Sequence, residues 1–194
     1  VPAVLAMVLM AMTMVLSSMS VVKEKEIGTM EQIMVTPIRP WQLIIGKLFP
    51  FAVIGLVDLC LVTFVGVTVF HVPFRGSFPL LLLLSAGFLM SMLGLGLFVS
   101  TLVRTQQQAM ISSTFMLQVP MLYLSGLIFP IESMPKIVQY ATLGIPVRYY
   151  ATIVRGIFLK GAGLRELWQP ALWMSLIGVF VLTLAAARFR KTID

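Results

Sequence analysis

Long apolar stretches, separated by short polar turns, make up most of this sequence. About 20 helical residues cross the hydrocarbon core of a membrane, and several of the stretches reach that length. The chain is 59% hydrophobic and 11% charged, more apolar than a soluble domain of this size requires. The pattern predicts an all-α protein, a polytopic bundle of transmembrane helices. The five spans we expect lie at residues 2–22, 48–70, 78–103, 109–129 and 170–187.

The longest charged island, Lys23–Trp41, follows the first span and reads KEKEIGTMEQIMVTPIRPW. Thr29 and Gln32 have the spacing of a capping box, which starts a helix by satisfying free backbone N–H groups. Prolines at 37 and 40 then end that helix, because proline lacks the N–H. A short amphipathic helix of this kind either rests on lipid as a connecting loop or docks into a partner protein, and the pattern leaves both open.

A few polar and small residues inside the apolar stretches are candidates for special roles. Asp58 falls near the middle of the second span, where a carboxylate is costly. Gln118 and Pro120 lie in the fourth span, where proline predicts a kink. These residues either line a pathway or serve helix packing. Small residues in the third span predict close helix approach, namely Gly87, Ser91, Gly94 and Gly96.

The stretch 130–169 is long but not simply polar. After Pro146, the run VRYYATIVRGIFLKG places Arg148, Thr152 and Arg155 on one stripe of a helix and mostly apolar residues elsewhere. This pattern predicts a re-entrant or interfacial amphipathic helix. Its expected aromatic anchors in the interface are Tyr149, Tyr150 and Trp168.

The basic residues cluster at the ends of the spans, and the net charge is +7. This distribution suits lipid headgroups and topology control, not nucleic acid. The positive-inside rule puts the island and the C-terminus in the cytoplasm and Val1 outside. An outside N-terminus leads us to expect that an earlier span precedes this chain. The basic residues assigned to the cytoplasm are Lys23, Lys25, Arg39, Lys47, Arg104, Arg188, Arg190 and Lys191.

Five motifs in order, the island 23–47, LVRTQQQA at 102–109, LSGLIFPIESMP at 124–135, IVRGIFLKGAG at 153–163 and the RFRK ending, resemble ABC-2 type transporter permeases. These are membrane subunits of ATP-driven exporters, and the resemblance covers nearly the whole chain. A permease half of this family has six spans with a large extracytoplasmic region between the first two, and this chain lacks the first span and that region.

The resemblance implies that the island contacts an ATP-binding cassette ATPase subunit and that 130–169 is an extracytoplasmic re-entrant pair of helices. It also implies a dimer with a second permease copy or a paralogue, in a bacterial inner membrane. Mg-ATP would bind the partner subunit, since this chain has no Gly-rich phosphate loop and is expected to bind no cofactor or metal. The residues to which the resemblance gives the coupling role are Glu24, Glu26, Gly28, Thr29, Glu31 and Gln32.

The leading hypothesis is therefore a permease that exports an amphiphilic or drug-like substrate and performs no chemistry. An ion-coupled secondary transporter or a channel-like protein is the alternative, for which Asp58 is the ionisable candidate. An intramembrane enzyme is disfavoured, since the spans hold no paired carboxylates, metal cluster or nucleophile–base pair.

Overall fold

A computed structural model describes residues 2–28, 40–126 and 131–193, and within these ranges the regular structure is entirely helical. The α-helices, in chain order, are α1 (Pro2–Ile27), α2 (Pro40–Thr68), α3 (Phe78–Leu102), α4 (Gln106–Ile111), α5 (Val119–Leu124), α6 (Lys136–Ala141), α7 (Pro146–Arg155) and α8 (Leu164–Ile193). Two π-helical segments, Ser112–Gln118 and Gly156–Lys160, join α4 to α5 and extend α7.

Four of the described helices, α1, α2, α3 and α8, are long and apolar enough to cross a membrane. This finding confirms the predicted class, an all-α polytopic membrane protein. The predicted number of five spans is not confirmed. The four candidate stretches are Val4–Ile27, Gln42–Thr68, Phe78–Leu102 and Leu164–Arg188.

The stretch predicted as a fourth span, 109–129, is helical up to Leu124 in the structure but is not α-helical throughout. Its helical path runs through α4, the π segment and α5, and residues 127–130 lie outside the described ranges. The N–H of Val119 donates to the carbonyl of Thr114, five residues back, which is the π-helical pattern. Pro120 follows at once and has no N–H to continue a regular ladder.

The long helices also differ from the predicted spans at their ends. α1 continues past residue 22 to Ile27, so the first charged residues of the island belong to this helix. α2 begins at Pro40, because proline is well suited to the first turn of a helix. α8 begins at Leu164 and continues through Pro170.

The centre of the bundle is α3. In the most apolar 18-residue stretch of α3, 61% is buried inside the bundle, against 17% in the corresponding stretch of α8. Three of the glycines lie where helices approach closely. A Cβ at Gly96 would stand 2.6 Å from the Met14 carbonyl of α1, and one at Gly94 would stand 3.2 Å from the backbone of Leu182 on α8. A Cβ at Gly178 of α8 would likewise clash with the side chain of Ser91 of α3. Small residues therefore let α1 and α8 approach α3.

Buried hydroxyl groups connect these helices. Ser17 donates to the Leu93 carbonyl at 3.2 Å, and Ser91 donates to the Met174 carbonyl at 3.3 Å. Ser18 and Ser113 share a hydrogen bond of 2.8 Å between α1 and the π segment. Each hydroxyl is satisfied inside the apolar bundle, as a buried polar group must be.

Residues 131–163 form short helices at one end of the bundle, which we call the far end. There α1 begins, the α2–α3 loop (69–77) turns, and α7 packs on α1, α3 and α8. The Arg75 N–H donates to the Phe158 carbonyl at 3.3 Å, which joins the loop to the segment after α7. The segment after α7 is thus attached to the bundle through the α2–α3 loop.

Candidate functional site

The charged residues at the end of α1 contact three other helices. We call Glu24, Lys25 and Glu26, with their partners Lys47 and Gln106, the charged end. Glu24 forms an ion pair with Lys47 of α2. Lys25 donates to the Ser100 carbonyl near the end of α3 at 2.6 Å, where a cation is favoured by the helix dipole. The end of α1 is therefore joined to α2 and α3.

Glu26 joins α1 to the start of α4. Its carboxylate accepts from the backbone N–H of Gln106 at 3.1 Å and from the side-chain amide at 3.0 Å. The first N–H groups of a helix have no intrahelical partner, and a carboxylate satisfies one of them. Thr105 accepts from the N–H of Gln108 at 3.3 Å and caps the same turn. Glu26 therefore links the end of α1 to the first turn of α4.

Gly28 ends α1. Its φ is 79°, a left-handed conformation that glycine adopts without strain. Its N–H bonds back to the Lys25 carbonyl at 3.3 Å. Thr29, Glu31 and Gln32 lie outside the described residues. The structure thus brings Glu24, Glu26 and Gly28 of the six expected coupling residues to one end of the bundle.

The candidate pathway residues lie at different helix interfaces. Asp58 is on α2, which packs on α1, α3 and α8, and within the described ranges its buried Oδ2 atom has no hydrogen-bond partner. Gln118 ends the π segment and Pro120 is the second residue of α5, and these elements pack on α1, on α3 and on α7. A role in a pathway stays a prediction for all three.

The predicted packing residues lie on the inner helix α3. Ser91 also donates to the Gly87 carbonyl at 3.2 Å, and a Cβ at Gly87 would stand 3.4 Å from Ser175 of α8. Together with Gly94 and Gly96, these residues line the contacts of α3 with α8 and α1.

At the far end, Tyr150 is wholly buried, which corrects its expected role as an interfacial anchor. Its hydroxyl shares a hydrogen bond of 2.7 Å with Ser85, and its ring stacks on Phe88 with centroids 4.0 Å apart. Burial raises the pKa of the Tyr150 hydroxyl above its usual value, against the smaller lowering effect of Ser85. Helical spacing places Val147 and Val154 beside it on the buried face of α7.

Ser85 and Phe88 lie well inside α3. At 1.5 Å per residue, they stand about 10 and 15 Å from its first residue, Phe78. The buried face of α7 thus contacts α3 well inside that helix and not at its N-terminal end.

The polar side chains of α7 also form hydrogen bonds with neighbouring segments. Arg148 donates to the Thr142 hydroxyl at 2.5 Å, and Arg155 donates to the Gly126 carbonyl at 3.2 Å. The sequence placed Arg148, Thr152 and Arg155 on one stripe, and all three line one cavity.

The described residues thus form a helical bundle with polar contacts between helices at the charged end and packed short helices at the far end. Residues 1–187 match the family described as ABC-2 family transporter protein, and the chain belongs to this family.

Among its relatives, the chain is 35% identical over 194 residues to the probable multidrug ABC transporter permease YbhR of Escherichia coli K12, covering all of this chain and 52% of that protein. It is 34% identical over 184 residues to the inner membrane transport permease YhhJ of the same organism, covering 94% and 49%. It is 25% identical over 190 residues to ABC transporter G family member 20 of Dictyostelium discoideum, covering 95% and 26%.

The chain thus spans about half the length of the two bacterial relatives. No solved structure matches it.

Proposed function

We propose that this chain is the membrane part of a permease subunit that exports an amphiphilic or drug-like substrate, powered by a separate ATP-binding cassette subunit. The observation that carries the proposal is the match of residues 1–187 to the ABC-2 family. Its similarity to the permeases YbhR and YhhJ supports it. Mg-ATP would bind the partner subunit, and this chain would supply the path through the inner membrane.

The charged end is where the partner would act. The segment 23–41 would contact the ATPase through Glu24, Glu26, Gly28, Thr29, Glu31 and Gln32. The contacts of Glu24, Lys25 and Glu26 would then pass a displacement to α2, α3 and α4. ATP binding and hydrolysis would bias the bundle between two conformations, because the partner's nucleotide state favours one over the other. This mechanism places the charged end and the C-terminus in the cytoplasm.

A second permease copy, or a paralogue, would complete the path. α2 and α8 carry many exposed apolar side chains, among them Phe49, Phe64 and Phe180. Lipid and a second subunit can each cover such faces. Asp58, Gln118 and Pro120 are the residues we propose to test as pathway-lining, with the predicted re-entrant segment 130–169 at the outer side.

The test is co-purification of the protein, at its natural length, with its ATP-binding subunit. Glu31→Lys reverses a charge in the coupling segment, and we expect loss of association or of substrate-stimulated ATP hydrolysis. Glu166→Lys makes the same reversal in the first turn of α8, at the far end, and should retain both. Equal behaviour of the two variants, with the bundle still folded, would rule out a coupling role for the segment.

The ion-coupled alternative has one specific observation in its favour, the buried Oδ2 of Asp58. Asp58→Asn removes its charge and keeps its shape. An ATP-driven permease should keep transport independent of the proton gradient in this variant. If the wild type transports without any ATPase and the variant loses ion coupling, the alternative replaces the proposal.

A further inference from the structure

Two arginines of α7 line one cavity at the far end of the bundle. The cavity has a volume of about 440 Å³ and is bordered by Arg148, Thr152 and Arg155, with Gln139, Ser125 and Gly126 opposite. Arg148 and Arg155 are two helical turns apart on the same stripe. Their guanidinium groups therefore reach the same space from one helix face.

Among the side chains that the structure describes, no carboxylate forms an ion pair with either of these two arginines. Arg148 donates to neutral oxygens of Thr142 and Gln139, and Arg155 donates to the Gly126 carbonyl. No described carboxylate lines the cavity. A guanidinium has five N–H donors, so donors remain for an anion. Planar guanidinium groups bind phosphate oxygens in pairs, with charge-assisted hydrogen bonds.

A second cavity shares a wall with the first. Its volume is about 460 Å³, and Arg148 and Thr152 border both. Its other lining residues include Leu143, Tyr149 and Trp173, which make it largely apolar. The Tyr149 hydroxyl donates to the Leu143 carbonyl at 2.9 Å, which holds this wall together. A cationic compartment therefore lies directly beside a largely apolar one.

This combination discriminates among anions. A soluble phosphate would use the cationic compartment and leave the apolar one empty. A phospholipid has a phosphate headgroup directly attached to apolar chains, and both compartments would be filled. Exposed aromatic side chains such as Tyr140 and Trp168 lie in the same region and suit the level of lipid headgroups.

We propose that Arg148 and Arg155, together with the adjoining apolar cavity, bind the phosphate headgroup and upper acyl chain of an anionic phospholipid. The bound lipid supplies the negative charge that the described residues lack. It also explains why this stretch carries arginines on the side opposite the charged end of α1. The binding needs neither ATP nor a partner subunit.

The experiment measures lipid binding to the purified protein at its natural length, in detergent micelles, by native mass spectrometry. Phosphatidylglycerol and phosphatidylcholine with identical acyl chains are compared. The wild type should prefer phosphatidylglycerol by about tenfold, because both lipids carry a phosphate but the choline cation of phosphatidylcholine is repelled by the two arginines. Arg155→Gln should abolish that preference. Arg75→Gln removes a charge from the α2–α3 loop, outside both cavities, and should keep it.

Two further arms separate the compartments. Glycerol phosphate, a headgroup without chains, should bind at least about tenfold more weakly than phosphatidylglycerol. Trp173→Ala should weaken binding of both lipids and leave binding of glycerol phosphate unchanged. If Arg155→Gln does not fold, Arg155→Lys keeps the charge without the forked donors, so it should weaken binding of both lipids and keep the preference for phosphatidylglycerol.

The proposal is overturned by any of three results. The wild type shows no preference, Arg75→Gln and Arg155→Gln lose it equally, or glycerol phosphate binds as tightly as the lipid. The first two would reduce the arginines to general surface charge, and the third would identify a soluble phosphate site. Because ATP is absent throughout, the outcome is independent of coupling to an ATPase.

Discussion

The two ends of the bundle are held together by different kinds of side-chain contact. At the charged end, the polar links are an ion pair and hydrogen bonds between partly exposed side chains, such as Glu24 with Lys47 and Glu26 with Gln106, beside a small buried apolar cluster. At the far end, Tyr150 is wholly buried, stacked on Phe88 and hydrogen-bonded to Ser85. Exposed ion pairs contribute little to stability, whereas a buried aromatic side chain contributes several kcal/mol.

This difference indicates which end can move. Weak, solvent-accessible links are broken and remade at low cost, so the charged end can follow a partner. The far end loses packing and leaves a buried hydroxyl unsatisfied if α7 separates from α3. We therefore expect the far end to act as the fixed side of any conformational change.

The largest effect is expected from Tyr150→Ala. Removing this buried ring should lower the free energy of unfolding by about 3–5 kcal/mol, since it leaves a cavity against Phe88. Tyr150→Phe keeps the ring and strands the Ser85 hydroxyl, at a cost of about 1–3 kcal/mol. Thermal unfolding in detergent measures both. Tyr140→Ala, at a tyrosine 73% exposed, should change the stability by less than about 0.5 kcal/mol, and a similar loss there would contradict the comparison.

A smaller effect is expected from Gly96→Ala, which tests whether tight packing extends toward the charged end. The new Cβ would stand 2.6 Å from the Met14 carbonyl, a backbone atom that cannot rotate away. We expect a loss of about 1–3 kcal/mol, the usual range for overpacking. Gly46→Ala on α2 meets nothing within 4 Å and should be neutral or stabilising. If Gly96→Ala is equally harmless, α1 and α3 are free to separate.

The ion pair at the charged end should contribute less still. A double-mutant cycle of Glu24→Gln and Lys47→Met should give a coupling energy below about 1 kcal/mol, which disappears in high salt because the charges are screened. Thermal unfolding at low and high ionic strength measures it. The same variants should lower coupled ATP hydrolysis in the complex. A coupling energy above about 2 kcal/mol would make this end as rigid as the other.

The smallest effect is expected from Gln106→Ala, which leaves the backbone link to Glu26 but removes the amide link. Amide hydrogen exchange in the first turn of α4 should become faster, with no shift in thermal unfolding. The neighbouring exposed Gln107→Ala should leave exchange unchanged. Unaltered exchange in both variants would mean that the amide link does not hold α4.

Some of the site was predictable from the sequence and some was not. Glu24, Glu26 and Gly28 could be named because they lie in one ordered motif. Their partners Lys47, Ser100 and Gln106 were missed, because each lies 20 to 80 residues away and no local pattern pairs them. The only usable signal was that all of these residues border predicted turns on the same side.

Tyr149 and Tyr150 show the limit most directly. The sequence predicted the same interfacial role for both, since they are adjacent aromatic residues on an amphipathic helix. In the structure, Tyr150 packs on α3, whereas Tyr149 lines a cavity. The 100° step between adjacent helical residues separates them, but which side meets α3 depends on how α7 packs.

The amino-acid sequence by itself determined that this protein is an all-α membrane bundle of the ABC-2 type, because apolar length and ordered motifs are properties of the chain alone. The tertiary structure decided the π-helical segment before Pro120, the burial of Tyr150 and the position of Arg148 between two cavities. These features depend on contacts between residues far apart in sequence, and the free energy of such contacts exists only once the helices have packed.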